Sequence, residues 1–426
     1  MCIVLTFETH ESNVRSYCRL FDDVFTTAKN ENIYAESGKT YIDFFAGAGA
    51  LNYGHNNDYI KSQLLAYIQS DGITHGLDMY TGAKRAFIDK FVSSVLAPRG
   101  LDYKLQFCGS TGTNAVEAAL KLARKVKKRE TIFSFMGAFH GMSIGSLSAT
   151  SSRSSRKGAG MPLNNVTFMP YPHGFMGSFD TIDYIENVLT DDHSGIEVPA
   201  AIIFESVQAE GGIIPVSSDW MKSLEKLCRK YDILLICDDI QVGCGRTGSF
   251  FSFEHAGIVP DIVTLSKSIS GYGLPMSLLL MKPELDLWSA GEHNGTFRGN
   301  QLAFVTSIAA LELREMMDLD RQVQRHEATI RQVLQSKVAA LHKDIEIRGI
   351  GMIWGIDMAK VGGSDLTRTI VSECFNRGLI VERAGREDAV IKLLPPLTIE
   401  EANLMQGLDI LSEVMQEHLV SLVAHS

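Results

Sequence analysis

Short apolar runs rich in β-branched residues recur along the chain and stop at polar residues: Lys104–Cys108, Thr131–Phe135, Ala200–Phe204, Ile233–Cys237, Ile262–Leu265 and Ser277–Met281. Most are continuously apolar rather than alternating, as a strand covered on both faces must be. Helical periods separate them. The segment AVEAALKLARKVKK has apolar positions at 116, 119, 120 and 123, with Glu117 and Lys121 one turn apart. Asp58–Ser70 and Trp220–Tyr231 have similar patterns. Strands alternating with helices predict βαβ crossovers and a mostly parallel sheet.

The texture changes near Leu302. Two long helices are expected over Ala303–Met317 and Arg321–His342. Strands follow near Ile345–Arg348 and Met352–Met358, and the chain closes on a helix over Ile399–Leu419. We therefore expect an α/β protein with a large domain over 45–300 and a smaller α+β domain over 301–426. Residues 1–44 are expected to join the smaller domain, with a helix near Glu11–Phe21 and a hairpin turn at Ala35–Lys39.

Composition narrows the function. The net charge of −10 is spread along the chain, which argues against nucleic acid or an anionic membrane as partner. The seven cysteines are scattered, with neither disulfide nor metal-site spacing, and this suits a reducing cytoplasm. The N-terminal run MCIVLTFETH lacks the basic start and cleavage site of a signal peptide. No apolar run has the length of a membrane span.

Two strand ends carry candidate chemistry. Asp238 closes one central strand and Lys267 follows another, so both should meet at the carboxyl edge of the sheet, where such sheets bind ligands. Pyridoxal 5'-phosphate requires such a pair: a lysine to hold its aldehyde and a carboxylate to keep its ring nitrogen protonated. A lysine capping a strand beside a loop acid would explain the same residues without chemistry. A Gly/Ser/Thr loop, Gly109–Asn114, precedes the Ala-rich helix. Its free N–H groups could hold an anion.

DDIQVGCGRTG and TLSKSISGYGLPM resemble the signature of class III (ω-type) aminotransferases, and the likeness runs from about Tyr41 to Ile399. That resemblance implies fold type I of the pyridoxal-phosphate enzymes and cytoplasmic homodimers, or higher homo-oligomers, with shared active sites acting on small amino acids. It assigns Lys267 and Asp238 as catalytic. Thr111, Gly112 and Thr113 would hold the cofactor phosphate, Phe139 would lie on the ring, and Gln241 would bond its ring oxygen. His140 and Glu205 belong to the same cofactor set. Thr296 would reach the phosphate in the neighbouring subunit. Glu210 would pair with a switchable cation. The family usually has an arginine there, whereas this chain has Lys392, and Arg298 is an alternative carboxylate ligand. FAGAGALNYGHNN, SDGITHGLDM, STGTNAVEAALKLARK and GEHNGTFRGN are closest to members that aminate L-aspartate 4-semialdehyde from L-glutamate, an activity that opens ectoine synthesis. Alternatives are a 4-aminobutyrate- or ornithine-type enzyme and an aminomutase. Ala48–Asn52 and Gly76–Tyr80 could line the substrate pocket, with Asp78 facing an ammonium group.

Overall fold

The computed structural model describes residues 5–173 and 179–423, so Cys2 and the first four residues of the N-terminal run lie outside the described residues. Seven strands form the main sheet. In spatial order they are Lys104–Phe107, Leu278–Met281, Ile262–Leu265, Leu234–Asp238, Ala201–Phe204, Ile132–Phe135 and Val166–Met169. Only Leu278–Met281 runs against its neighbours.

Both faces of this sheet are covered, which explains the continuous apolar runs. On one face, Ile203, Ile236, Ile262 and Leu279 pack under the helix Gly112–Lys127 through Ala115, Ala119, Leu122 and Ala123. On the other, Phe204, Leu235, Val263 and Leu280 meet Trp220, Leu224 and Leu227 of the helix Ser218–Lys230. The polar residues buried in these strands have partners: Ser134 Oγ donates to Ala149 O and Thr264 Oγ1 to Asp238 Oδ1.

A four-stranded antiparallel sheet follows the helices Gln301–Met316 and Leu319–Val333. Its order is Glu346–Ile350, Ile353–Asp357, Val390–Leu393, Glu382–Ala384. The N-terminal strands Phe25–Lys29, Asn32–Ala35 and Thr40–Asp43 form a further sheet, completed by Leu379–Ile380 parallel to Thr40–Asp43. The turn between the last two N-terminal strands has Gly38 at φ +82°, with Gly38 N donating to Ala35 O at 3.0 Å.

Several local expectations are corrected. No helix spans Glu11–Phe21. The chain has a short helix at Leu5–His10 and one 3-10 turn at Tyr17–Arg19. Thr150–Gly160, whose Ser/Arg/Gly-rich composition reads as an exposed loop, contains the short helix Arg153–Lys157, capped by Ser152. Glu117 does not pair with Lys121. Its carboxylate accepts from Ser143 Oγ at 2.6 Å and Ser146 N at 3.0 Å, and Lys121 Nζ donates to Glu292 O at 2.7 Å. Among the described residues no helix is long and apolar enough to cross a membrane.

Candidate active site

Lys267 and Asp238 meet at the carboxyl edge of the sheet. They line a cavity of about 170 Å³ together with Gly112, Thr113, Phe139, His140, Glu205, Glu210 and Gln241. The strand Leu234–Asp238 lies parallel to Ile262–Leu265, with Asp238 opposite Thr264. Both side chains therefore leave their strands at one end.

Asp238 is buried and fully engaged. Its Oδ1 accepts from Thr264 Oγ1 at 3.1 Å and Ile240 N at 3.2 Å, and its Oδ2 lies 2.6 Å from His140 Nδ1. An ionised Asp238 can only accept, so Nδ1 is the protonated nitrogen of that histidine. Three donors fix the carboxylate's plane.

The side chain of Lys267 forms no hydrogen bond or ion pair with the described residues, and its backbone is left-handed at φ +50°. Its pKa falls to about 8 because burial disfavours the ammonium and Lys392 adds repulsion, with Glu210, Glu382 and Asp238 opposing. A minority of the amine, far more than for a free lysine, is then neutral near physiological pH, as a nucleophile and proton carrier must be.

Glu205 accepts from Phe139 N at 3.2 Å. Burial, then Asp238, pushes its carboxyl well above the usual range. Phe139 keeps 36% of its surface exposed, within a lining otherwise largely buried. Gly112 is confined: a Cβ there would stand 2.9 Å from Ile240 Cδ1.

Behind the cavity sits a second charged group. Lys392 is wholly buried, with Nζ 2.6 Å from Glu210 Oε1 and 3.2 Å from Glu382 Oε2. Burial opposes the charge on Lys392, but the two acids raise its pKa. Burial likewise pushes Glu210 up, yet Lys392 and Lys267 prevail and hold it at about 2. Glu382 goes the other way, raised by burial and by Glu210. Sequence reasoning missed Glu382. Its signal was a lone acid in the apolar run GLIVERAG.

Other expected residues fall elsewhere in the single chain. Thr111 is the N-cap of the helix Gly112–Lys127 and does not line the cavity. The Thr113 hydroxyl contacts Ser143 Oγ at 2.6 Å and also Ser146 Oγ. Gln241 Nε2 donates to Ala48 O at 2.9 Å. Thr296 and Arg298 line a separate cavity of about 400 Å³ with His75, Gly109 and Ser110. There Arg298 Nη2 donates to Asn294 O at 3.0 Å. Asp78 is exposed and outside the Lys267 cavity, and Thr81 rather than Asp78 caps the helix Gly82–Phe91.

The arrangement suits pyridoxal 5'-phosphate. A carboxylate with its donors already in place, an uncommitted low-pKa lysine, an exposed aromatic face and a long helix's N-terminus surround one cavity.

The sequence profile of class-III aminotransferases matches residues 17–415, and the chain belongs to that family. It is an aminotransferase with fold type I of the pyridoxal-phosphate enzymes. Within the family it is similar to two proteins named diaminobutyrate–2-oxoglutarate transaminase. That of Halalkalibacterium halodurans is 53% identical over 409 residues, covering 96% of this chain and 95% of the relative. That of Streptomyces avermitilis is 52% identical over 414 residues, covering 96% and 97%. Among solved structures, a transaminase from a marine Virgibacillus superposes with TM-score 0.88 at 19% identity, covering 98% and 99% of the two chains. The ornithine aminotransferase of Toxoplasma gondii does so at 0.83 and 24%, covering 97% and 93%.

Proposed function

We propose that this aminotransferase binds pyridoxal 5'-phosphate at Lys267 and moves the amino group of L-glutamate to L-aspartate 4-semialdehyde, giving L-2,4-diaminobutyrate and 2-oxoglutarate. The observation that carries the reading is the cavity where Lys267, Asp238 and Glu210 converge, with Lys392 paired to Glu210 behind it. The names of the two relatives support the substrates.

When bound, the cofactor supplies an aldehyde for the substrate amine and a ring that withdraws electrons. Asp238, held by His140, Thr264 and Ile240, keeps a proton on the ring nitrogen. Lys267 would hold the aldehyde and, as a free amine, would carry the proton taken from the substrate carbon. Gly112, Thr113 and the helix they open would hold the phosphate. Phe139 would cover the ring. His140 and Glu205 complete the cofactor's surroundings.

Glu210 and Lys392 serve the substrate. The carboxylate side chain of L-glutamate needs a cation, while the zwitterionic head of the amino aldehyde also needs an anion. With Glu210 on Lys392 the cation is masked, and with Glu210 turned away only Glu382 still faces it. A lysine offers a point charge rather than a fork, and here two acids hold it in place.

The substrate reading has a kinetic consequence. With L-glutamate as donor, kcat/KM for aspartate 4-semialdehyde should exceed that for succinic semialdehyde, which lacks the α-amine, by at least about tenfold, or ~1.4 kcal/mol. Equal values would indicate a general ω-aminotransferase. A strong preference for glutamate 5-semialdehyde would indicate an ornithine-type enzyme.

The active unit in this reading is a cytoplasmic homodimer, with Thr296 reaching the partner's cofactor phosphate. Its support is that Thr296 lies outside the Lys267 cavity of its own chain. Thr296→Ala should weaken cofactor retention by about 1–3 kcal/mol, the usual loss for a hydrogen bond to a charged group. A fully active monomer in sedimentation would refute the shared site.

A further inference from the structure

Lys267 holds a backbone conformation that lysine does not favour. Its φ of +50° lies in the left-handed region, where a Cβ crowds the following carbonyl. Such a conformation persists only where its surroundings over-determine it. Two N-terminal residues supply the contacts at this turn. Ser268 is 4% exposed, and its Oγ donates to Gly49 O at 2.7 Å and accepts from Asn52 N at 3.2 Å.

Those partners are themselves held. Ala46, Gly47, Ala48 and Gly49 have φ between +47° and +82°, four left-handed residues in succession. Gln241 Nε2 donates to Ala48 O, joining this turn to the loop after Asp238. Asn52 is wholly buried, and its Oδ1 accepts from Arg246 Nη2 at 2.6 Å. Arg246 Nη1 donates to Met352 O at 2.8 Å and Pro395 O at 2.7 Å. Asn52 O accepts from Leu397 N at 2.8 Å. The hydroxyl of Ser268 thus ties the lysine's turn to a rigid buried network reaching the segment just after Lys392.

We propose that Ser268 is a positioning residue for Lys267: bonded to Gly49 and Asn52, its hydroxyl holds the lysine backbone left-handed, so that the side chain enters the cavity. This rests on the reading that Lys267 carries the chemistry. Without the hydroxyl, Gly49 O and Asn52 N lose their partner and the lysine turn is free to relax toward commoner backbone angles.

The test uses the full-length protein freed of cofactor. The rate at which Lys267 is labelled by a small neutral aldehyde with cyanoborohydride is read by peptide mass spectrometry, beside the rate of pyridoxal 5'-phosphate capture. Ser268→Ala should slow both by at least about tenfold, and Ser268→Thr, which keeps the hydroxyl, should recover most of the loss. Ser307→Ala removes another buried hydroxyl bonded to this turn, at Ile269 O, and should leave both rates within about twofold of wild type. Wild-type rates in Ser268→Ala, or an equal loss in Ser307→Ala, would overturn the proposal. Should Ser268→Ala not fold, Ser268→Cys serves in its place, with slowed labelling expected and unchanged labelling overturning the proposal. Failure of the underlying reading looks different: Lys267→Ala would then capture the cofactor as wild type does.

Discussion

Lys267→Ala is expected to abolish transamination and the visible absorbance of the retained cofactor while leaving the fold intact. Its half-buried side chain forms no hydrogen bond or ion pair with the described residues, so its loss should leave the packing intact. Its amine is the one group in the cavity placed to be both nucleophile and proton carrier. General base catalysis alone contributes about 10²–10⁴-fold, and the nucleophile is lost with it. The fall in kcat/KM should therefore exceed about 10⁴-fold. Circular dichroism should match wild type. Turnover near the wild-type rate would remove the basis for the whole assignment.

Asp238→Asn carries the second largest expected effect. The amide keeps the size of the carboxyl but removes the charge that His140, Thr264 and Ile240 stabilise. A neutral amide cannot hold a proton on the ring nitrogen as a carboxylate does. Loss of one preorganised electrostatic partner costs about 10²–10³-fold in rate, and kcat should fall by at least about 10²-fold. The cofactor should remain bound, because Lys267 and the Gly112–Thr113 helix end are untouched. A wild-type kcat in Asp238→Asn would show that this carboxylate does not tune the ring.

The two predictions rest on features that the sequence shows at different depths. Asp238 and Lys267 were legible because a buried strand must end in polar residues somewhere, and at a parallel sheet's carboxyl edge that somewhere is the site. The main sheet was legible for a related reason: continuous apolar runs mean two covered faces, as Ile236 and Leu235 show on opposite sides of one strand.

What failed to show depends on contacts distant in sequence. Glu382 meets Lys392 across adjacent antiparallel strands, and a single acid in an apolar run does not reveal its partner. Ser268 and Asn52 are joined across 216 positions. Glu117 and Lys121 have helical spacing for a pair, but Ser143 and Ser146 offer Glu117 better donors. The lead-in helix failed although Val14, Tyr17, Cys18 and Phe21 have helical spacing: only Phe21 finds a core to enter, Val14, Tyr17 and Cys18 stay exposed, and propensity alone does not sustain a short helix.

Whether the Lys267 cavity is where the chemistry occurs can be read from borohydride reduction of the cofactor-loaded wild-type protein, followed by peptide mapping. A phosphopyridoxyl group is expected on the peptide bearing Lys267, and should be lost when L-glutamate is added before reduction. A modified Lys392, or any other lysine with Lys267 left free, would contradict it.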